Sequence, residues 1–392
     1  MRLVLLGIGQ AGGKIVDRFL EYERQTEQDF IEGAVAFNTA RADLKELSHV
    51  PEHHRQLFGE VDAKGHGVGA DTEFAADLAE QDAQQLIRSL DDIPTSRADA
   101  FLVVAGLGGG TGSGAAPVLA NELDRIYEKP VYGLGVLPAS EEEDIFAYNA
   151  VRSFRTLVNH VDNLLLFDND TWLKSGEEVT EAHDRLNGEL VRRLSVLFNA
   201  GEVTDENVVA ESVIDSSEII NTLRGGGVST IGHASSTLPT DDSSGFSLGN
   251  LFGSSDDEPD EIEAMNRITT AARKATRGRL TLPCDVSSSQ RALVVTSGPP
   301  QWLSRQGIEQ SRQWIEEETE SMEIRGGDDP RSDSDRVSVT VLFAGVTDIP
   351  RIEQLRERAL KAAESSGDSD DLSETELDDF ADSSVDGSDL KR

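Results

Sequence analysis

The stretch Phe101–Pro117, FLVVAGLGGGTGSGAAP, constrains this chain more than any other. Phe101–Ala105 is a short apolar run suited to a strand covered on both faces. Gly106, Gly108, Gly109, Gly110, Gly112 and Gly114 follow, and Ala115 onward reads as a helix. Glycines this dense remove side chains and let backbone N–H groups turn toward an anion. Thr111 and Ser113 add hydroxyl donors, and the helix N-terminus adds the positive end of its dipole. A flexible hinge would need neither the hydroxyls nor the apolar flanks. The order strand, glycine loop, helix therefore predicts a phosphate site in an α/β sheet. No Gly-Lys-Ser/Thr occurs, so this is not a Walker loop.

The N-terminus repeats the arrangement. Leu3–Leu6 reads as a strand, GIGQAGGK at Gly7–Lys14 as the loop after it, and Ile15–Leu20 as the opening of a helix. Gly7, Gly9 and Gly12 match the dinucleotide fingerprint, which asks for an acidic residue at the end of the second strand. That strand is Gly33–Phe37, and Asn38-Thr39-Ala40 follows it. The missing acid disfavours a nicotinamide enzyme. Gly65–Asp71, GHGVGAD, is another glycine-rich turn, with Asp71 placed to cap a helix over Thr72–Leu90. No second histidine stands at ligand spacing from His66, which reads as a loop residue.

Composition narrows the class. The 392 residues allow two domains. Thirty-six basic against seventy-three acidic residues give a net charge of −37, which argues against a nucleic-acid or anionic-membrane surface. The acidity runs along the whole chain and suits solubility in very high salt. Cys284, the single cysteine, excludes an intrachain disulfide and a cysteine-rich metal site, and reads as a small buried apolar residue. MRLVLLGIG is too short and glycine-broken for a signal peptide, and no run of eighteen apolar residues exists. A soluble, cytoplasmic protein without a transmembrane segment is expected.

Further along, a helix runs through Tyr127, then come a strand Val131–Leu137, an acidic loop Pro138–Asp144, a helix Tyr148–His160 and a strand Asn163–Phe167 ending in Asp168-Asn169-Asp170. Thr180–Phe198 is a long helix whose Leu186, Leu190, Leu194 and Leu197 form one apolar face, with His183 and Asn187 on or beside it. A polar loop occupies Asn199–Val209. In Glu211–Leu223, Asp215 and Glu218 would share a helix face, or form a capping box with Glu218 reaching back. A turn at Gly225–Gly227 leads to a strand Val228–Ser235. Thr240–Glu261 is an acidic, low-complexity loop or disordered insert. Helices Ile262–Arg277, Gly307–Glu320 and Ile352–Ala363 and strands Arg291–Thr296 and Arg336–Gly345 follow, the last strand at an edge or in a mixed sheet. The Asp- and Ser-rich tail Glu364–Arg392 reads as a disordered segment, solubilising rather than the alternative of a partner-docking tail.

GGGTGSG at Gly108–Gly114 resembles the signature of the tubulin and FtsZ superfamily. GQAGG resembles the first phosphate loop of tubulins, NTARADL the next loop of FtsZ, and FDND the superfamily's base-reading segment. The resemblance extends to about residue 360. Within the superfamily, GQAGGK, FDND, GHGVGAD and the acidic surface look most like the CetZ group of archaeal tubulin-like proteins. The implied fold is α/β. A GTP-binding domain with a mostly parallel sheet covers 1–179 and a central helix 180–200. An α+β activation domain with a mixed sheet covers 201–363, and the acidic tail 364–392.

The resemblance implies GTP or GDP with Mg²⁺ as ligands. Gln10, Ala11, Gly12, Gly13 and Lys14, then Gly69, Ala70 and Asp71, then Gly108, Gly109, Gly110, Thr111 and Gly112 would cradle the phosphates. Asp71 could help hold Mg²⁺ directly or through water; no direct protein ligand to the metal is assigned. Glu142 would bond the ribose, with Glu141 and Glu143 adjacent to it, although four carboxylates in five residues also suit a solvated surface. Asn169 would read guanine, its carboxamide offering both donor and acceptor. His183 would stack on the base. Asn187 would make a second purine contact, with Asp184 as the competing candidate. Asp215 and Glu218 match the acidic pair that enters the next subunit's nucleotide site; Val213 stands where the family carries asparagine.

The expected activity is GTP hydrolysis at the junction between subunits of a head-to-tail protofilament. Cytoskeletal or membrane-associated partners, no nucleic acid, and a role in cell shape from the cytoplasm or from filaments or patches at the envelope go with it. A division-ring protein of the FtsZ type and a Rossmann-type dinucleotide enzyme are the alternatives. SDDLSETELDDFADSSVDGSDLKR lacks the hydrophobic C-terminal peptide usual for the former.

Overall fold

A computed structural model describes residues 1–200, 214–239, 261–321 and 323–366. The polar loop beyond residue 200, Val213, the acidic insert up to residue 260 and the tail from residue 367 lie outside the described residues.

The first half alternates strands and helices. Its elements are β1 (Leu3–Ile8), α1 (Gly9–Thr26), β2 (Ile31–Asn38), α2 (Arg41–Glu46), β3 (Arg55–Leu57), α3 (Thr72–Arg88), β4 (Ala100–Gly106), α4 (Gly110–Ile126), β5 (Val131–Leu137), α5 (Asp144–His160), β6 (Asn163–Asp168) and α6 (Asn169–Trp172). The helix α7 (Val179–Asn199) leads to α8 (Ser216–Leu223), β7 (Val228–Thr237), α9 (Glu261–Arg277), β8 (Arg291–Gly298), α10 (Arg305–Thr319), β9 (Ile324–Pro330), β10 (Arg336–Val346) and α11 (Pro350–Ser366).

The strands form one ten-stranded sheet in the order β3-β2-β1-β4-β5-β6-β7-β10-β8-β9. β1 to β6 are all parallel, with Leu5 beside Ala34 on one side and Leu102 on the other. Every residue of β1, β5 and β6 is buried, as unbroken apolar runs require when helices cover both faces of a sheet. On one face Leu6 and Val103 pack with Leu119 and Phe154; on the other Leu5 and Leu102 pack with Leu190 and Leu194 of α7. The chain leaves β1 toward β2 on one side and resumes at β4 on the other. In open α/β sheets such a switch point leaves a crevice at the carboxyl ends of the strands.

The second half continues the same sheet. β6 and β7 pair over two positions, Leu164 with Val228 and Leu165 with Ser229. β7 and β8 flank β10 as antiparallel neighbours, so β10 is interior in a mixed sheet and not an edge. The edge on this side is β9, IRGGDDP, whose paired glycines, paired aspartates and terminal proline hide it from a propensity reading. Among the described residues no helix is long and apolar enough to cross a membrane.

His233 of β7 bonds Thr340 of β10 through Nδ1 at 2.9 Å. Burial pulls its pKa down to about 3, and the cations of Arg192 and Arg193 pull the same way against Glu189. The unfolded chain therefore takes up this proton below about pH 6.5 while the folded chain refuses it. Stability should fall with decreasing pH from about 6.5, more steeply than in His233→Gln by up to about 1.4 kcal/mol per pH unit. Denaturant titrations of both proteins between pH 7 and pH 5 check this; parallel curves would refute it.

Candidate functional site

The carboxyl ends of the parallel strands open onto one cleft of about 470 Å³, a size suited to a small-molecule ligand. Ile8 ends β1 and Gly9 follows it, Gly106 ends β4 and Gly108–Gly112 follow it, and Gly67–Gly69 precede α3; these line one end. Pro138 and Glu142 after β5, Asn169 after β6 and His183 of α7 line the other.

The glycine-rich segments are not loops for most of their length. α1 starts at Gly9 and α4 at Gly110, so Gly9–Lys14 and Gly110–Gly114 are first turns of helices. Close approach explains the glycines. A Cβ on Gly12 would lie 2.1 Å from the Val104 carbonyl oxygen, and one on Gly114 would lie 2.1 Å from that of Thr72. One on Gly112 would lie 2.8 Å from the Gly106 carbonyl oxygen, and one on Gly9 2.9 Å from the Gly112 nitrogen. The two helix starts therefore touch each other and the strands beneath. Glycine in a helix costs about 1 kcal/mol relative to alanine, which this packing offsets. Of these positions only Gly9, at φ +72°, needs the left-handed region. The unsatisfied N–H groups of two converging helix starts thus meet at the cleft, an arrangement suited to an anion.

Gly109 is different. It has an ordinary φ of −78°, lines the cleft, and a Cβ on it would meet nothing within 4 Å. Neither conformation nor protein packing calls for glycine there. Its bare backbone leaves room for a guest.

Gln10 and Ala11 line the cleft, but Gly12 and Gly13 lie buried beneath them. Lys14 sits 3.1 Å from Glu46, on α2. These three residues are outside the lining because the helix begins early and turns them away. Gly69 lines it, while Ala70 and Asp71 do not. The Ala70 carbonyl accepts from Asn149 at 2.9 Å, and the same amide donates to the Gly108 carbonyl at 3.1 Å. Asp71 caps α3, accepting from the Phe74 N–H at 2.9 Å. Thr111 shares a 2.7 Å hydroxyl bond with Thr39. Ser113, expected as a donor to the guest, is buried and donates instead to the Leu107 carbonyl. Among the described residues no group of three His, Cys, Asp or Glu could hold a metal ion.

Glu142 lines the cleft, and its Oε1 accepts from the Ala139 N–H at 2.7 Å; Glu141 and Glu143 are not in the lining. His183 lines it, and neither Asp184 nor Asn187 does. Asn38 and Asp43, from the NTARADL segment to which no role was given, also line it, as does Phe146, which nothing local distinguishes from an ordinary helix residue.

Asp215 and Glu218 lie elsewhere. Asp215 is the N-cap of α8, so the two do not share a helix face, and its side chain accepts from the Glu218 N–H at 3.1 Å. The Ser217 hydroxyl and this N–H hold its carboxyl below the usual range. Glu218 does not complete a capping box. It pairs with Arg325 of β9 at 2.9 Å and lines a separate cavity with Arg305 and Arg312. That cavity shares no residue with the glycine-lined cleft.

Family comparisons divide the chain near the start of α7. Residues 2–177 match the tubulin/FtsZ family GTPase domain, and residues 176–361 match the C-terminal domain of tubulin-like CetZ. The tubulin-like protein CetZ5 of Haloferax volcanii is 53% identical, over 98% of this chain and 100% of its own. The chain belongs to the tubulin-like CetZ family. Two solved structures of this family from the same organism agree. The GDP-bound CetZ1 monomer superposes with a TM-score of 0.81 at 49% identity, covering 92% of this chain and 99% of its own. CetZ2 in a GTPγS-bound protofilament gives 0.82 at 39%, covering 94% and 100%. An FtsZ dimer from M. jannaschii gives 0.66 at 19% identity and shares the fold alone. The division-ring and dinucleotide-enzyme readings are not favoured.

The two kinds of glycine should behave oppositely. Gly12→Ala forces Cβ into a backbone carbonyl and should cost about 3 kcal/mol of stability. Gly109→Ala should stay within about 1 kcal/mol of the parent, the range of an N-cap change. Thermal melts of the two variants check this; equal losses would show that Gly109 also has a packing role.

Proposed function

We propose that the chain is a GTP-binding and GTP-hydrolysing tubulin-like protein that assembles head to tail into protofilaments. The observation that carries this reading is the separation of two half-sites. A cleft with converging helix starts and a carboxamide at its far end can hold a purine nucleotide. Of the acidic pair, Glu218 lines another cavity of the same chain, and Asp215 caps the helix that carries it. A lone subunit then has a place for the nucleotide but no acid pair beside it. Head-to-tail stacking would bring a neighbour's pair to the open cleft. The GDP-bound and GTPγS-bound states of CetZ1 and CetZ2, and the protofilament of the latter, support the reading.

The N–H groups of α1 and α4, with Gln10, Gly69 and Gly108–Gly112, would hold the phosphates. Glu142 would take the ribose, Asn169 the guanine edge and His183 the base face. Asp215 and Glu218 of the neighbouring copy would orient the attacking water, with Arg325 fixing the Glu218 carboxylate. Phosphoryl transfer needs this positioning and charge stabilisation more than covalent chemistry. Mg²⁺ arriving with the phosphates would neutralise their charge, with Asp71 the carboxylate nearest in sequence to the lining residue Gly69. Residues 1–179 would form the GTP-binding domain, 180–200 the central helix and 201–363 the activation domain. Control of cell shape from the cytoplasm or from filaments at the envelope, with cytoskeletal or membrane-associated partners, is the cellular role that fits.

GTP turnover per subunit in molar KCl with Mg²⁺ should climb steeply above a threshold protein concentration. The double change Asp215→Ala and Glu218→Ala should abolish turnover and leave GTP affinity within about twofold of the parent. Unchanged turnover in that variant, or a rate per subunit independent of concentration, would overturn the reading. Protection against heating by NAD in place of GTP would return the dinucleotide alternative.

A further inference from the structure

The last helix reaches back to the purine end of the cleft. Arg351, in the first turn of α11, is 7% exposed. Its Nε donates to Asp168 Oδ1 at 2.9 Å and its Nη2 to the Pro138 carbonyl at 2.7 Å. Seven residues on, and so on the same helix face, Arg358 donates to the Ala139 carbonyl at 3.3 Å and to the Glu142 carbonyl, and pairs with Asp144 at 2.6 Å. Two arginines thus hold three carbonyls of the β5–α5 loop.

That loop is tied in turn to the segment after β6. The Ser140 N–H and hydroxyl donate to Asp170 Oδ1 at 2.8 and 2.6 Å. Burial works against an ionised Asp170, but Ser140, Arg351 and Arg358 outweigh it and hold its carboxyl below the usual range. Asp168 accepts from the Thr171 N–H at 3.2 Å and so fixes the turn that begins with Asn169. Burial pushes Asp168 up, and Arg351 and Thr171 oppose it. Glu142 and Asn169 line the cleft. The groups that hold them lie in α11, more than 180 residues away in the chain. The described hydrogen bonds and ion pairs of both arginines go to this end, whereas α1, α4 and the turn before α3 build the phosphate end.

We propose that Arg351 and Arg358 are positioning residues that set the purine selectivity of the cleft. They fix the turn that carries Asn169, Arg351 through Asp168 and Arg358 through the loop whose Ser140 binds Asp170, and so determine which base is accepted, without touching the nucleotide. The inference rests on the nucleotide reading of the cleft.

The test is competition binding of GTP and ATP, in molar KCl with Mg²⁺, to the full chain and to Arg358→Ala, Arg351→Lys and Lys361→Ala. Lys361 is an exposed base of the same helix and serves as control. Arg351→Lys should weaken GTP about tenfold, the loss expected for one or two charge-assisted hydrogen bonds, and leave ATP within about twofold; Arg358→Ala, which also frees the ribose-holding Glu142, should weaken both nucleotides, GTP about tenfold more than ATP. The GTP-to-ATP preference then falls about tenfold, while Lys361→Ala keeps it. Parallel weakening of both nucleotides would mean a structural role only and would overturn the inference, as would an unchanged preference in both arginine variants. Arg351→Lys keeps a cation beside Asp168, so a folded protein is available even where removing the charge would unfold it. A parent chain that binds no guanine nucleotide would overturn the nucleotide reading itself. A parent that prefers GTP, with variants that do so equally, would overturn this inference alone.

Discussion

The whole arrangement depends on the chain parting at β1. β2 and β3 lie on one side and β4 to β6 on the other, all parallel. α1 and α4 must therefore both start at the same crevice, and their first turns must fit over the strand ends without side chains between them. That one demand sets the glycine content of both segments, the contact between Gly9 and Gly112, and the exposure of two sets of unsatisfied N–H groups to one volume. The rest of the first half supports this crossing point. Asn149 ties the turn before α3 to the loop after β4, and the Thr39–Thr111 bond ties β2's end to α4.

The two halves of the chain are joined by little backbone and much side chain. β6 meets β7 over only two residue pairs. Around that seam, Trp172 donates to the Leu280 carbonyl at 3.1 Å, and its ring lies under Arg193 at 4.1 Å and Arg279 at 5.2 Å. Asp168 donates its N–H to Thr281 and takes Arg351 on its side chain. The segment at the Asn169 end of the cleft is therefore held mainly from the second half. The net charge of −37 acts over the whole surface, and the ion pairs there are individually worth little. In molar salt the Debye length shrinks to about 3 Å, so contacts between such subunits rest on short-range fit and not on long-range charge.

Sequence reading recovered the buried strands because an unbroken apolar run has few alternatives, and β5 matched end to end. It placed the cleft because glycine clusters after strands mark the switch point. It misplaced the helix starts because glycine reads as loop wherever packing is unseen. Gly12, Gly13 and Lys14 lie outside the cleft lining for that reason, and Ser113 turned inward. Only resemblance singled out Glu142 among its acidic neighbours; in the structure the Ala139 bond orients it. β9 was missed because parallel pairing with β8 overrides its poor propensity. Arg351 and Arg358 carried no signal at all, since their partners are distant in sequence and only the packing of α11 against α5 brings them near.

The glycine contacts also divide the chain by how a lesion in it can be repaired. A Cβ on Gly33 would strike the side chain of Ile93 at 2.6 Å, and one on Gly59 would strike Leu78 at 2.6 Å. Trimming Ile93 can restore the first fit, so that lesion has a second-site suppressor; Gly59, at φ +61°, stays strained whatever the space around it. At Gly7, Gly12, Gly112 and Gly114 the nearest atom is a backbone carbonyl oxygen. Every amino acid presents that same oxygen, and no exchange elsewhere removes it. These positions are closed to compensation, and the two helix starts can change only by moving together.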